Sequence, residues 1–377
     1  MYLSKVEIDL ARIQTNYHRL AEAFPNRVLA PVIKSDAYGH GAAQVASALV
    51  AAGCGHLCVF SVGEARFLRE NGIGARVWVL GGVAPGEEPE MLLSGSNTAY
   101  ALWSREQLAR LDAFAQAHRR IFDCHLTIET GMSRLGFFPS EIPGVLDGLS
   151  RAAGLRLCGA FSHLASADNP DSPQTALQVR RFREVVAMLP SGCDEVHLCA
   201  TPGMMAGAAP EYKYLRPGFA IYGYGHDDRM PQLHFEPSMS FKSIVLSVKD
   251  IQDGEHVSYR GLYRVDGGTC RIAVVPVGYA NGYPRCLGNR AEVLVRGRRA
   301  PIRGRICMGM MMVDVSRIDG VLPGDEVVLL GAQGNDAITG EELAALAGTI
   351  PYEILCALGK EPNRVFIPAL PQSGGGQ

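Results

Sequence analysis

Eight apolar runs, each followed by an amphipathic stretch, fill the chain up to about residue 225, and no other feature constrains its fold as tightly. The runs are "RVLAPVI", "GHLCVFSV", "ARVWVLGG", "NTAYALW", "DCHLTIET", "LRLCGAFSHL", "EVHLCAT" and "YLRPGFAIYGY". Between them lie segments such as "GEARFLRENG", "REQLARLDAFAQAH" and "QVRRFREVVAMLP". The runs are continuously apolar rather than alternating, as in strands whose two faces are both covered. Eight strand–helix units of this length predict a (β/α)8 TIM barrel. A doubly wound open sheet is the other architecture such a pattern permits, but no GxGxxG follows the first strand.

After "HFEPSMSF" the pattern changes to short β-rich runs set apart by Gly and Asp turns, with "TGEELAALAG" and "PYEILCAL" as the helical stretches. The reading is a barrel over 1–232, a mostly β domain over 233–370 and a disordered tail over 371–377. The opening "MYLSKVEIDL" reads as a strand, one that could pack with the β domain.

Composition narrows the class. Charged residues make up 20% of the 377, the net charge is -2, and Lys and Arg form no basic block, which speaks against nucleic acid and membrane surfaces as partners. A small molecule fits better. No N-terminal apolar core of signal-peptide length and no run of about twenty apolar residues occurs, so a cytoplasmic protein is expected. The ten cysteines are scattered; Cys54 and Cys58 lack a matching pair for zinc, so reduced core thiols and no metal are expected.

Chemistry gathers at the predicted strand ends. Lys34 closes the first apolar run, and the C-terminal ends of barrel strands form the active face. Two readings of this lysine stand: a partly desolvated amine able to form a Schiff base, or a surface lysine whose stem covers apolar side chains. Other strand ends add Arg134, His163, His197 and Arg216. Thr201, Gly203 and Gly218 suit a phosphate seat, because small residues let backbone N–H groups approach an anion. A phosphate-bearing carbonyl cofactor held by a lysine would use all of these groups.

The segments "VIKSDAYGHG", "ETGMSRLGF", "SHLASAD", "LRPGFAIYG", "VSY", "VPVGYANGY", "GRICMG" and "PYEILCALG" together resemble the ordered motifs of alanine racemases, fold-type III enzymes dependent on pyridoxal 5'-phosphate (PLP). The resemblance runs from about residue 5 to 366. It implies an isomerase that interconverts L- and D-alanine by a two-base mechanism, in a cytoplasmic homodimer with shared active sites, supplying D-alanine for peptidoglycan precursors. By this resemblance Lys34 is the PLP lysine and one base, and Tyr259, from the partner subunit, is the other. Arg216 donates to the pyridine nitrogen, and His163 lies against the ring. Tyr38, Thr201, Gly218, Phe219 and Tyr352 contact the phosphate. Arg134 approaches the phenolic oxygen and the substrate carboxylate, while Met308 and Tyr279 line the substrate entrance.

Racemisation needs a proton donor and acceptor on opposite faces of a planar carbon, hence two bases. An isolated tyrosine, with a pKa near ~10, is a poor base at neutral pH, and nearby cations would favour its phenolate. An arginine at the pyridine nitrogen keeps that nitrogen from taking a proton and weakens the electron sink.

Several positions depart from the family pattern. Thr127 stands where a carbamylated lysine is usual, Gly309 where an aspartate follows the methionine of the substrate gate, Ala200 where an asparagine precedes the phosphate hydroxyl, and Asn281 where aspartate is favoured. Thr127 and Gly309 keep a racemase of serine or a longer amino acid open as an alternative. A fold-type III decarboxylase of basic amino acids and a PLP-holding homeostasis protein are the remaining readings.

Overall fold

The structure, a computed structural model, describes residues 3–87, 97–169, 171–226 and 229–368, so the predicted tail over 371–377 lies outside the described residues. The chain folds into two compact units, one containing Arg12–Ala37 and Ala42–Glu236, the other the chain up to Ala11, Tyr38–Gly41 and Pro237–Ala369. The opening strand and a four-residue segment after Lys34 thus group with the later half of the chain, which no boundary drawn in chain order can express.

The opening strand, β1 (Ser4–Asp9), is followed by eight strands, one from each apolar run: β2 (Val28–Leu29), β3 (His56–Val59), β4 (Arg76–Val79), β5 (Thr98–Leu102), β6 (Phe122–Thr127), β7 (Leu155–Phe161), β8 (Glu195–Ala200) and β9 (Tyr214–Arg216). All neighbours in this sheet are parallel, in the order β2-β9-β8-β7-β6-β5-β4-β3. The ring closes just past β2. Pro31 has no N–H to give, yet its carbonyl accepts from Cys58 N at 2.8 Å and Ile33 N donates to Cys58 O at 2.8 Å, while Val32 N continues the bonds toward β9 by donating to Pro217 O at 2.8 Å. A parallel bridge joins Val32 to Cys58, and the buried Tyr222 hydroxyl donates to Val32 O at 2.9 Å.

Helices alternate with these strands. Val62–Glu70 begins with a reciprocal capping box: Glu64 N donates to Ser61 Oγ, and Glu64 Oε2 accepts from Ser61 N. Arg105–Ala117 is capped by Ser104, and Ile142–Arg151 and Pro173–Val186 each carry a proline in the first turn, where no intrahelical N–H is needed.

Inside a βα barrel, inward side chains of alternate strands form layers that are usually filled by Val, Ile and Leu. Here two layers are polar and aromatic. β4, β6 and β8 contribute Arg76, Asp123 and Glu195 to one layer, and two residues further along contribute Trp78, His125 and His197 to the next. In the first layer Arg76 bridges both acids, with Nε 2.6 Å from Glu195 Oε1 and Nη1 3.0 Å from Asp123 Oδ2. In the second, the Trp78 and His197 rings stack with centroids 4.3 Å apart and planes 6° from parallel.

The β unit is built around a seven-stranded sheet. β1 pairs antiparallel with Met239–Ile244 and parallel with Arg364–Ile367, and Glu292–Val295, Arg298–Pro301, Glu326–Gln333 and Asp336–Ile338 complete the sheet. A separate three-stranded sheet holds Ser247–Ile251, Cys270–Val275 and Met311–Asp314. The helices Gly340–Ala347 and Pro351–Leu358 stand where the sequence predicts them.

Asn281 acquires a local reason here. Its Oδ1 accepts from Gly278 N at 3.0 Å while its Nδ2 donates to the buried Glu361 carboxylate at 2.9 Å; Asn363 Nδ2 serves the other Glu361 oxygen at 3.1 Å. An aspartate could keep only the first of these bonds. Asn281→Asp is therefore expected to cost about 1–3 kcal/mol at pH 7, as two carboxylates meet without a donor. Equal urea midpoints for the two proteins would show that the pair does not carry this load.

Candidate active site

The chain enters the site through a left-handed turn. Lys34 follows the bridging residues Val32 and Ile33, and Ser35, Asp36, Ala37 and Tyr38 all take φ between 53° and 55°. None is glycine, and each left-handed residue costs about 1–2 kcal/mol against the right-handed form. Hydrogen bonds hold the turn. Ser35 N donates to Glu64 Oε1 at 2.7 Å, Ala37 N to Ile33 O at 2.9 Å, and Ala42 N to Asp36 Oδ1 at 2.7 Å. Glu64 thus serves the turn with one oxygen and its own helix cap with the other.

Arg216 ends β9 and is only 2% exposed. Both hydrogens on each terminal nitrogen have acceptors: Nη1 donates to His197 Nδ1 and, at 2.9 Å, to His197 O, while Nη2 donates to Ser162 O at 2.7 Å and Leu198 O at 3.0 Å. Its guanidinium carbon lies 5.5 Å from the Phe161 ring centre. Burial lowers its pKa to about 10, with Arg134 adding to the fall.

His163 follows β7. Burial, then the charges of Arg216, Arg134 and Lys34, push its pKa down to about 3, so it is neutral across the physiological range. Its loop is pinned by Gln178, wholly buried on Pro173–Val186, which donates to His163 O at 2.9 Å and accepts from Ala165 N at 2.9 Å. Arg134 is exposed, and its N–H is held at 3.1 Å by the Glu129 carboxylate, which also gathers Gly131 and Met132.

Thr201 opens the short helix Thr201–Met205, and its Oγ1 accepts from Gly218 N at 3.1 Å. Phe219 follows at the start of a 3₁₀ turn and stacks on Tyr224 with centroids 4.9 Å apart. A Cβ on Gly225 would stand 3.2 Å from Thr201 Cγ2, so that glycine lets its backbone pack close to the threonine methyl. An amine, a buried guanidinium, a neutral imidazole and a hydroxyl set beside a backbone N–H fit a phosphate-bearing aldehyde. In the β unit, the Tyr38 and Tyr352 rings lie 5.6 Å apart, and burial raises the Tyr352 phenol to about 12.

Three expected site residues stand on the β unit with exposed side chains: Tyr259 at 65%, Met308 at 63% and Tyr279 at 43%. The barrel unit does not contain them. Among the departures, Thr127 ends β6 with its side chain buried and its Oγ1 without a hydrogen-bond partner among the described residues. Gly309 is exposed, and nothing lies within 4 Å of where its Cβ would be.

Sequence reasoning misses the floor beneath Arg216. It places His197 at a strand end, but the residue sits inside the barrel, wholly buried, with its Nε2 3.0 Å from His125 Nδ1. His125 Nε2 in turn lies 2.6 Å from Glu195 Oε2. The signal is present in "RVW", "DCH" and "EVH", each a charge followed two residues later by an aromatic or imidazole ring on the same face of a strand.

Comparison with known proteins adds two family matches, to the alanine racemase N-terminal domain over residues 8–226 and the C-terminal domain over residues 238–366. The chain is 39% identical to an alanine racemase of Syntrophobacter fumaroxidans over 370 residues, covering 96% of this chain and 97% of that one. Among solved structures, the alanine racemase of D-cycloserine-producing Streptomyces lavendulae superposes with a TM-score of 0.91 at 30% identity, covering 98% of each chain. That of Bartonella henselae, with covalently bound pyridoxal phosphate, gives 0.85 at 27% identity, covering 97% of this chain and 100% of that one.

The buried imidazoles make stability depend on pH. In the folded chain His163 binds a proton only near pH 3, and burial also lowers His125 and His197, whereas unfolded histidine titrates near ~6.5. Between these values the unfolded state holds more protons, so stability rises with pH, by up to about 1.4 kcal/mol per pH unit for each histidine. Glu195, held at about 2, acts in the same direction below pH ~4.3. The urea midpoint should therefore fall steadily from pH 7 to pH 5; a flat profile would mean that these imidazoles are not held neutral.

Proposed function

The chain belongs to the alanine racemase family and is a PLP-dependent alanine racemase, and on that premise we propose how its residues divide the work. The observation that carries the proposal is the buried Arg216 at the end of β9, its Nη hydrogens all taken by protein acceptors, together with a His163 held neutral by burial and by the charges of Arg216, Arg134 and Lys34. When bound, PLP supplies the electron sink that makes a substrate α-proton removable.

Lys34 binds the cofactor and moves the proton on one face of the α-carbon. Tyr259 moves it on the other. Neutral His163 packs against the ring without adding charge. Because both Nη groups of Arg216 are taken by protein acceptors, its Nε–H is the donor left for the ring nitrogen. A buried cation in that position takes no proton from the ring and gives none up at neutral pH. Arg134, exposed and positive, receives the substrate carboxylate. Thr201, Gly218, Phe219, Tyr38 and Tyr352 hold the phosphate.

Tyr259, Leu262, Tyr279, Met308 and Met310 form a set of exposed large side chains on the β unit. Single exposed apolar groups are ordinary, but several together favour a surface that another chain covers. We read this as the face that a second copy covers, placing Tyr259, Tyr279 and Met308 at its partner's barrel in a homodimer. The reading continues to a cytoplasmic enzyme that makes D-alanine for peptidoglycan precursors. Gly309, with open space around it, also favours serine as a slower second substrate.

Mixing two inactive variants tests the shared site. Lys34→Ala and Tyr259→Phe are each expected to lose racemisation, yet a heterodimer of the two carries one site with both bases intact. Random re-assortment gives half heterodimers, so about a quarter of wild-type activity should return. No recovery in a mixture shown to contain heterodimer would place both bases in one subunit. Substrate choice is read in deuterium oxide with purified enzyme, PLP and L-alanine, L-serine or L-lysine. Deuterated D-alanine should dominate, with deuterated D-serine slower; an α-deuteration rate for serine above that for alanine would reverse the order.

A further inference from the structure

We propose that His125 and Glu195, which stand away from the reacting atoms, are positioning residues that fix the tautomer of His197 and so hold Arg216 in place. The inference rests on the reading of Arg216 as the partner of the cofactor ring. It follows from which atoms can donate.

A guanidinium can only donate, so the bond between Arg216 Nη1 and His197 Nδ1 requires a lone pair on Nδ1. The His197 proton must then sit on Nε2. That nitrogen lies 3.0 Å from His125 Nδ1, which must accept, so the His125 proton also sits on Nε2. His125 Nε2 donates across 2.6 Å to Glu195 Oε2, and a carboxylate can only accept. A pure donor at one end and a pure acceptor at the other leave a single order of N–H groups between them.

Every other protonation state breaks the chain. A proton on His197 Nδ1 would face Arg216 donor to donor. A doubly protonated His125 would donate to His197 Nε2 and force that same proton onto Nδ1. The surrounding groups favour the single order. Glu195 is kept anionic by Arg76, whose Nε and Nη2 reach its two oxygens at 2.6 and 2.9 Å. Burial alone would raise the Glu195 pKa, but hydrogen bonds from His125 and Arg76 outweigh it and hold the group at about 2. Around His197 stand Arg216, His125 and His56; around His125 stand Glu195, Arg76 and Asp123. Burial lowers both imidazoles, Arg216 further lowers His197, and the pull of Glu195 on His125 does not reverse the fall. The His197 plane is set by stacking on Trp78 and on Phe161, the latter 4.9 Å away and 8° from parallel.

Arg216 depends on this order because each Nη hydrogen has one acceptor, and His197 supplies two of the four. Turning the His197 tautomer around replaces an acceptor with a donor and drives the guanidinium off its seat, and its Nε–H with it.

Neutron diffraction from PLP-loaded enzyme crystals exchanged into deuterium oxide reads the protons directly. Deuterium is expected on Nε2 and absent from Nδ1 in both histidines; density on His197 Nδ1 overturns the proposal. The functional half is read in Glu195→Gln against Asp123→Asn, which weakens the same layer through Arg76 but leaves both imidazole hydrogen bonds and the Glu195 carboxylate in place. The loss of one bond to a charged group predicts that Glu195→Gln lowers kcat about tenfold or more, leaves KM within about twofold and shifts the absorbance band of bound PLP. Asp123→Asn should lower the melting midpoint with band and kcat unchanged. If Glu195→Gln also moves the midpoint alone, the positioning role is wrong. Arg216→Lys separates the premise: an unmoved PLP band there sinks the cofactor role of Arg216, while the neutron result judges the tautomers independently.

Discussion

A positive charge that water cannot reach has to find acceptors for its N–H groups inside the fold, and in this barrel much of the interior serves that one requirement. An unpaired buried guanidinium would cost several kcal/mol, comparable to the whole margin of a folded domain. Arg216 meets carbonyls from β8 and the segment after β7 on one side and an imidazole on the other. The imidazole needs its own partner, and the partner needs another, until the chain ends at a carboxylate forked onto Arg76. The polar floor of the barrel is the continuation of the arginine.

Much of this architecture is legible in the sequence. Eight apolar runs become eight parallel strands, because a strand covered on both faces leaves little room for polar residues. Arg216 and His163 are legible for a simpler reason: polar groups that end apolar runs have a barrel mouth to go to. The same reasoning hides the floor. In "DCHL" and "EVHL" the inward charges and rings merge into apolar runs, although spacing by two puts Asp123 with His125, and Glu195 with His197, on one face. The left-handed turn has no readable mark at all. Ser35, Asp36, Ala37 and Tyr38 include no glycine, and beside the local bonds to Ile33 O and from Ala42 N the turn relies on a contact distant in sequence, from Ser35 N to Glu64.

The departures from the family pattern fall into two kinds. Asn281 is compensated locally, since the carboxylate it would have clashed with, Glu361, accepts from it instead. Thr127 is not: its hydroxyl oxygen is buried with no hydrogen bond among the described residues, and nothing in the structure explains the substitution. The first kind belongs to the packing of the β unit, whereas the second lies at the end of a barrel strand, where side chains face the chemistry.

The turn after Lys34 bears on the order in which the molecule assembles. Four left-handed residues are disfavoured in any short peptide, so an unfolded chain has no local tendency to form them. Their clamp arrives with the helix Val62–Glu70, whose Glu64 can reach Ser35 only after β2 and β3 are side by side. The conformation after Lys34 therefore leans on the seam where Val32 meets Cys58: a barrel left open there would leave Ser35 N without its Glu64 partner.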